Sequence, residues 1–539
     1  MNPFESHPLT RESDAQGMWG WIDRTSDRVA GWLNPILIKE ARQALKSKQF
    51  IITFFTLLTC TWGWTVLGIM LNAPAVYYLP SGMEMLYGYY FVLAIPMLGM
   101  VPLVAHRSLA AEIDDGTFEM LAITKLSSLR IVLGKLNSAI LQMMIYFAAV
   151  VPGLAFAYLL RGVNLPTMLM MVLVIFFTAL ILTTLGLLLS TMASHRAWQA
   201  LFMLGLVGVI VITQFIVGAV CLEGILGEDA GSEPFAWLMI LAFGLVGSGC
   251  MVVLVKAAAA RIAPVTENRS TGIRWSLIGL QATWVFIIIL VTLYVSSDSA
   301  TGMVDSEPIN FGMMVLAGYW LCMGTLMLAE SPEMSPRVQR DLPQTFMGRA
   351  MLLWLSPGPG TGYMFTLCTA WSGIAVLALF AFLPPFSTQS TFRASTDPPV
   401  MAIMTIGHLM LFLSFLRLWV MVTSVWLGRS FILPIISLVF LLFAGTIAPS
   451  ILMIITTGAI SNDYWILETS NIFWTYEEAF SGGIAMEQAL LVFLLGLIGV
   501  SVNLLLFFRE FDYRRTLTPA RIKELATKKT SPAVAVEPE

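Results

Sequence analysis

The chain has 539 residues, 57% of them hydrophobic and only 12% charged, with a mean hydropathy of +0.80. A soluble globular protein carries about 25% charged residues, so this composition excludes one large water-soluble core and requires many membrane-crossing helices. A net charge of −3 gives no case for nucleic-acid binding, and Cys60, Cys221, Cys250, Cys322 and Cys368, all in apolar stretches without CxxC spacing, give no disulfide framework.

Residues 1–33 form a polar N-terminal segment with no early apolar core and cleavage site of the secretory kind. The stretch 34–49 then reads as an amphipathic helix lying along the membrane surface. Asn34 can cap it and Pro35 suits its first position. Leu37, Ala41, Ala44 and Leu45 share one face, while Lys39, Arg42 and Lys46 share the other. It feeds into the first of twelve apolar runs, each near the roughly 20 residues that cross a hydrocarbon core. These runs lie at about 50–71, 87–105, 137–160, 166–192, 198–222, 235–257, 276–296, 309–329, 364–384, 400–424, 431–457 and 486–508. The fold expected is therefore an all-α polytopic membrane protein.

Orientation follows from the basic residues. With the N-terminus inside, only Arg161 and Arg393 of the 30 Lys and Arg fall in outer loops, Lys256 stands at the inner end of the sixth run, and Arg417 lies within the tenth. That bias places both termini, the basic tail 509–539 and the loop 106–136 in the cytoplasm. A second basic segment, 256–275, precedes the seventh run, interrupted by Pro264. Spans one to six and seven to twelve could thus be two halves of one orientation, 34–260 and 261–508, with inner loops at 106–136 and 330–363.

The loop 106–136 holds EIDDGTFEMLAITKLSSLRIVLGK, far more polar chain than two antiparallel spans need for a connection. Asp115-Gly116-Thr117 breaks its first element, and Ser127 or Ser128 can cap the helix that enters the third span. Such a protrusion suits a soluble partner. It could also fold back and pair with Lys39 or Arg42. Gly134-Lys135 does not complete a phosphate-binding loop, because Leu129 and Leu136 stand where Gly and Ser or Thr belong. No span carries Asp or Glu in its middle, and His7, His106, His195 and His408 are scattered. No catalytic, cofactor or metal site is expected in this chain. His408 and Arg417, both on the tenth span, are the candidate intramembrane polar site. There Arg417 is expected to snorkel to the inner surface and His408 to sit hydrogen-bonded between helices.

Asn34, Pro35, Lys39, Glu40 and Arg42 before the first span, followed by Glu112, Gly116, Thr117, Glu119, Leu121, Ser127, Gly134 and Lys135 between the second and third, resemble the type-2 branch of ABC transporter permeases. The resemblance covers 34–260. It implies a membrane subunit for export in a bacterial plasma membrane, driven by a separate ABC-type ATPase that binds the ATP. It implies that Glu112, Asp115, Gly116, Thr117, Glu119, Leu121, Gly134 and Lys135 belong to the element that meets this ATPase. Lys39, Glu40, Arg42 and Lys46 would then lie on a lever helix packed against it. The second half departs from the pattern: its inner loop reads ESPEMSPRVQRDLPQTFMGRAMLLWLSPGPGTGYMF, with PGPGTG as a turn re-entering the ninth span. One chain would supply both sides of a pathway if the halves are repeats, and a homodimer would do so otherwise. The rival readings are a secondary carrier without an ATPase and a membrane scaffold or enzyme.

Overall fold

The structure, a computed structural model, describes residues 35–115, 127–192, 196–227, 230–264, 267–298, 307–330, 338, 353–382, 397–428, 430, 432–457, 464, 466–481 and 484–512. The protein is an all-α polytopic membrane protein. Among the described residues there is no strand, and twelve helices are long and apolar enough to span a bilayer. Chain contacts divide it after Ile262 into two units, Met1–Ile262 and Ala263–Glu539.

The first unit opens with α1, Pro35–Lys46, and α2, Lys48–Asn72. Only Ser47 separates them. Its hydroxyl accepts from Phe50 N (3.1 Å) and donates to Ala44 O (2.7 Å), so one side chain caps α2 and closes α1. There follow α3, Gly82–Asp114, α4, Ser128–Leu159, α5, Leu165–Ser190, α6, Arg196–Ala219, and α7, Pro234–Ile262. A π turn at Ile95–Met100 interrupts α3, and another at Val220–Leu226 prolongs α6.

The centre of this unit is α3, which packs on α4 and α5, while α5 packs on α7. Met85, Tyr89, Leu93 and Leu98 of α3 meet Met143 and Tyr146 of α4 and Met171 and Ile175 of α5 in one buried cluster. The first span fastens to it at two polar points: Trp64 Nε1 donates to Met85 O (2.9 Å), and Thr65 Oγ1 bonds Tyr89 Oη (2.6 Å). Its other face exposes Ile52, Trp62 and Met70, as a lipid-facing helix must.

The second unit holds α8, Thr271–Asp298, α9, Glu307–Leu328, α10, Pro359–Ala381, α11, Pro398–Leu427, α12, Ile432–Thr457, α13, Ile472–Ser481, and α14, Met486–Asp512. The closest pair is α11 and α14. A Cβ on Gly496 would lie 2.7 Å from Met410 Cβ and 2.8 Å from Gly407 O, so only glycine lets these backbones meet. Among the described residues, the stretch 256–275 divides between the end of α7 and the start of α8, with no separate helix between them. The short α13 and the 3-10 turn before it, Ile466–Ser470, are elements that hydropathy did not mark.

Candidate functional site

The polar ends of α3 and α4 are where the sequence places its densest cluster of functional residues. Both helices run well past their apolar windows, α3 to Asp114 and α4 back to Ser128, so Glu112, Gly134 and Lys135 are helical. Ser127 holds the N-cap position of α4, although its hydroxyl makes no capping bond. Residue Asp115 is an exposed turn closing α3. Asn34, Gly116, Thr117, Glu119 and Leu121 lie outside the described residues.

Lys135 is the hub. Its side chain is 2% exposed, and its ammonium group lies 3.0 Å from Glu112 Oε2, 3.3 Å from Glu40 Oε1 and 2.9 Å from Ser108 Oγ. Ser108 in turn donates to Glu40 Oε2 (3.4 Å). Outside this core, Lys39 reaches Glu112 Oε1 at 3.7 Å from a 61% exposed side chain. Two acids of different elements thus converge on one buried cation. The second and third spans are thereby locked to α1, which lies against α4. The three protons of Lys135 match three oxygen partners, which leaves none for a phosphate. Arg42 and Lys46 are exposed on the opposite side of α1. Beneath α1 lies a cavity of about 180 Å³, lined among others by Gln43, Ser138 and Gln142. Two further bonds fix the polar half of α3: Gln199 of α6 donates to Asp114 Oδ1 (2.6 Å), and His106 Nδ1 bonds Gly186 O of α5 (3.0 Å).

The second unit has an ion pair at the corresponding place, which the sequence did not reveal. Arg274, fully buried at the start of α8, bonds Glu330 Oε2 just after α9 (2.7 Å). Arg274 also donates to Trp354 O and Ser356 O (2.6 Å each) and to Gly358 O (3.3 Å). Glu330 accepts in addition from Gly358 N (2.7 Å) and from Ser270. Gly358 has φ 136°, a conformation closed to other residues, and it caps α10. The Gly-rich turn is therefore a backbone cradle for a buried guanidinium. Its only sequence signal was a basic residue, an acid and a PGPG run, each at a span end.

The two intramembrane candidates lie on α11. Arg417 does not snorkel: it is 4% exposed, donates to Asn503 O of α14 (3.1 Å) and sits 5.3 Å over the Tyr363 ring of α10. The neighbouring backbone carbonyl and aromatic face take the charge that the sequence assigned to the membrane surface. His408 is fully buried, with Nδ1 3.0 Å from Met404 O and Nε2 2.9 Å from Thr469 O. The distance between His408 and Arg417 along α11 keeps them in separate networks. No family model matches the chain, and no curated protein or solved structure is significantly similar to it.

Proposed function

We propose that this chain is the membrane-spanning permease subunit of an ATP-driven transporter. A separate ABC-type ATPase docks where α3 and α4 are joined, and the chain itself hydrolyses nothing. The observation that carries the reading is the buried Lys135 bound to both Glu40 and Glu112. A connection that only joined two spans would need no third element. Here a surface helix is ion-paired to both ends of the loop, so a push on the loop is transmitted to α1 and, through Ser47, to α2. Rigid bundles that rock about such a lever open a path to one side at a time.

Export is the direction that the sequence resemblance implies. The one-sided distribution of basic residues supports cytoplasmic termini, and a bacterial plasma membrane is the setting that fits. The Arg274–Glu330 pair supports a similar structural role for the connection between α9 and α10, although its sequence differs.

The test is reconstitution. The permease copurified with an ABC-type ATPase encoded beside its gene should stimulate ATP hydrolysis. Lys135→Met should keep the complex and lower that stimulation at least tenfold. Full stimulation by a folded Lys135→Met protein would refute the coupling role.

A further inference from the structure

Between α12 and α14 the chain makes a small folded insert instead of a plain turn. Asn471 N donates to Glu468 O (2.8 Å), and Thr475 Oγ1 donates to Asn471 O (2.8 Å) and Glu468 O (3.3 Å). These bonds close the turn at Glu468–Thr475 from within. The Glu468 side chain takes no part in them. It is 0% exposed, and neither carboxylate oxygen has a hydrogen-bond partner among the described residues. An ionised carboxylate so placed costs several kcal/mol, and a group in that position takes up a proton instead. Burial accordingly pushes its carboxyl above the usual range.

One residue on, Thr469 O faces His408 Nε2, while Met404 O faces His408 Nδ1. Both acceptors are carbonyls, so the neutral ring donates to one of them. The elements packed on the insert supply few other ionisable groups. Tyr476 of α13 stands 6.2 Å from the His408 ring and donates to Thr405 Oγ1 (3.2 Å). Tyr464 bonds Thr475 Oγ1 (2.9 Å), and burial pushes its hydroxyl up to about 12. Glu478 of α13 is half-buried and acts with Glu468 on Tyr464, while Glu477 of α13 and Glu487 of α14 are exposed. α9, which packs on α13, begins with the exposed Glu307, and α12 has no titratable residue.

We propose that Glu468 is a proton-binding site, at the end of the second unit away from the Arg274–Glu330 pair, and is protonated in this conformation. The ligand is a proton and not a metal cation. A lone carboxylate with no other oxygen bonded to it offers no coordination shell, whereas a proton needs one oxygen. Uptake converts the Glu468 carboxylate to the neutral acid. Release returns the proton to solution and leaves the carboxylate, once water reaches the group. The site stands independently of the ATPase reading.

Infrared spectroscopy of the full chain in nanodiscs tests it. The C=O stretch of a protonated carboxylic acid should be present at neutral pH and absent from Glu468→Gln. It should disappear only at a pH well above the usual carboxylate range. If Glu468→Gln does not fold, Glu468→Asp keeps the carboxyl and should shift the band instead. No band at neutral pH, or a band unchanged by both substitutions, would overturn the proposal. A titration moved by sodium ions at constant ionic strength would overturn the choice of a proton over a metal cation.

Discussion

Lys135 has three ammonium protons and three oxygen partners, all but sealed from solvent. Removing the cation strands Glu40 and leaves Glu112 with the more distant Lys39, so Lys135→Met should cost about 3–5 kcal/mol, read as a lower unfolding midpoint in detergent. Glu112→Gln leaves the ammonium its bond to Glu40 and should cost clearly less. Arg274→Lys should also destabilise, because a point charge cannot reach the carbonyls of Trp354 and Ser356 and the Glu330 carboxylate together. Gly358→Ala should cost about 1–3 kcal/mol, since φ 136° is strained for any side chain. At Glu468 the sign runs the other way from an ordinary paired acid. The folded state holds its proton more tightly than the unfolded chain, whose carboxyl titrates near about 4.3. Stability should therefore fall as pH rises from there through the raised value, and thermal melts of Glu468→Gln should lack that slope. Of these residues, Lys39, Glu40, Glu112 and Lys135 were legible because they crowd the polar borders of apolar runs. Arg274 and Glu330 are far apart in sequence, and nothing local joins them. Glu468 was invisible because an acid in an acidic loop looks solvated until the loop is seen to fold inward.

The apolar runs located every span, yet misjudged where helices end. A hydropathy window stops at the first cluster of charges, whereas α3 and α4 continue through Glu112 and Lys135 because those charges neutralise one another. The surface helix was legible from its two faces. Its break at Ser47 was not, because a single capping hydroxyl carries almost no pattern. Ser47→Ala should cost about 1 kcal/mol and, by merging lever and span, weaken coupling more than stability. ATPase stimulation compared with the unfolding midpoint separates the two effects. The α11–α14 contact rests on glycine at Gly407 and Gly496. Gly496→Leu should push these helices apart and lower the yield of folded protein in detergent, measured by size-exclusion chromatography, whereas substitutions at lipid-facing Leu505 should not.

Across the whole molecule, membrane-spanning helices divide into two units, and each has a buried cation that binds an acid at the end of its second span. The partners around these cations differ: side chains from two elements, α1 and α3, in the first unit, and one acid with a glycine-rich backbone turn in the second. Each lock joins the polar end of a second span to a neighbouring element of its own unit. Under the proposed function, the connection between α3 and α4 is the place where a soluble motor pushes. Asp115 is its exposed edge and can be made a cysteine without touching the Lys135 cluster. Crosslinking from Asp115→Cys in inside-out membrane vesicles, followed by mass spectrometry, is the most direct measurement. The expected result is a covalent link to an ABC-type ATPase whose yield changes when ATP is added. Labelling of that cysteine by a membrane-impermeant reagent in intact cells, with no link to any nucleotide hydrolase in vesicles, would contradict it.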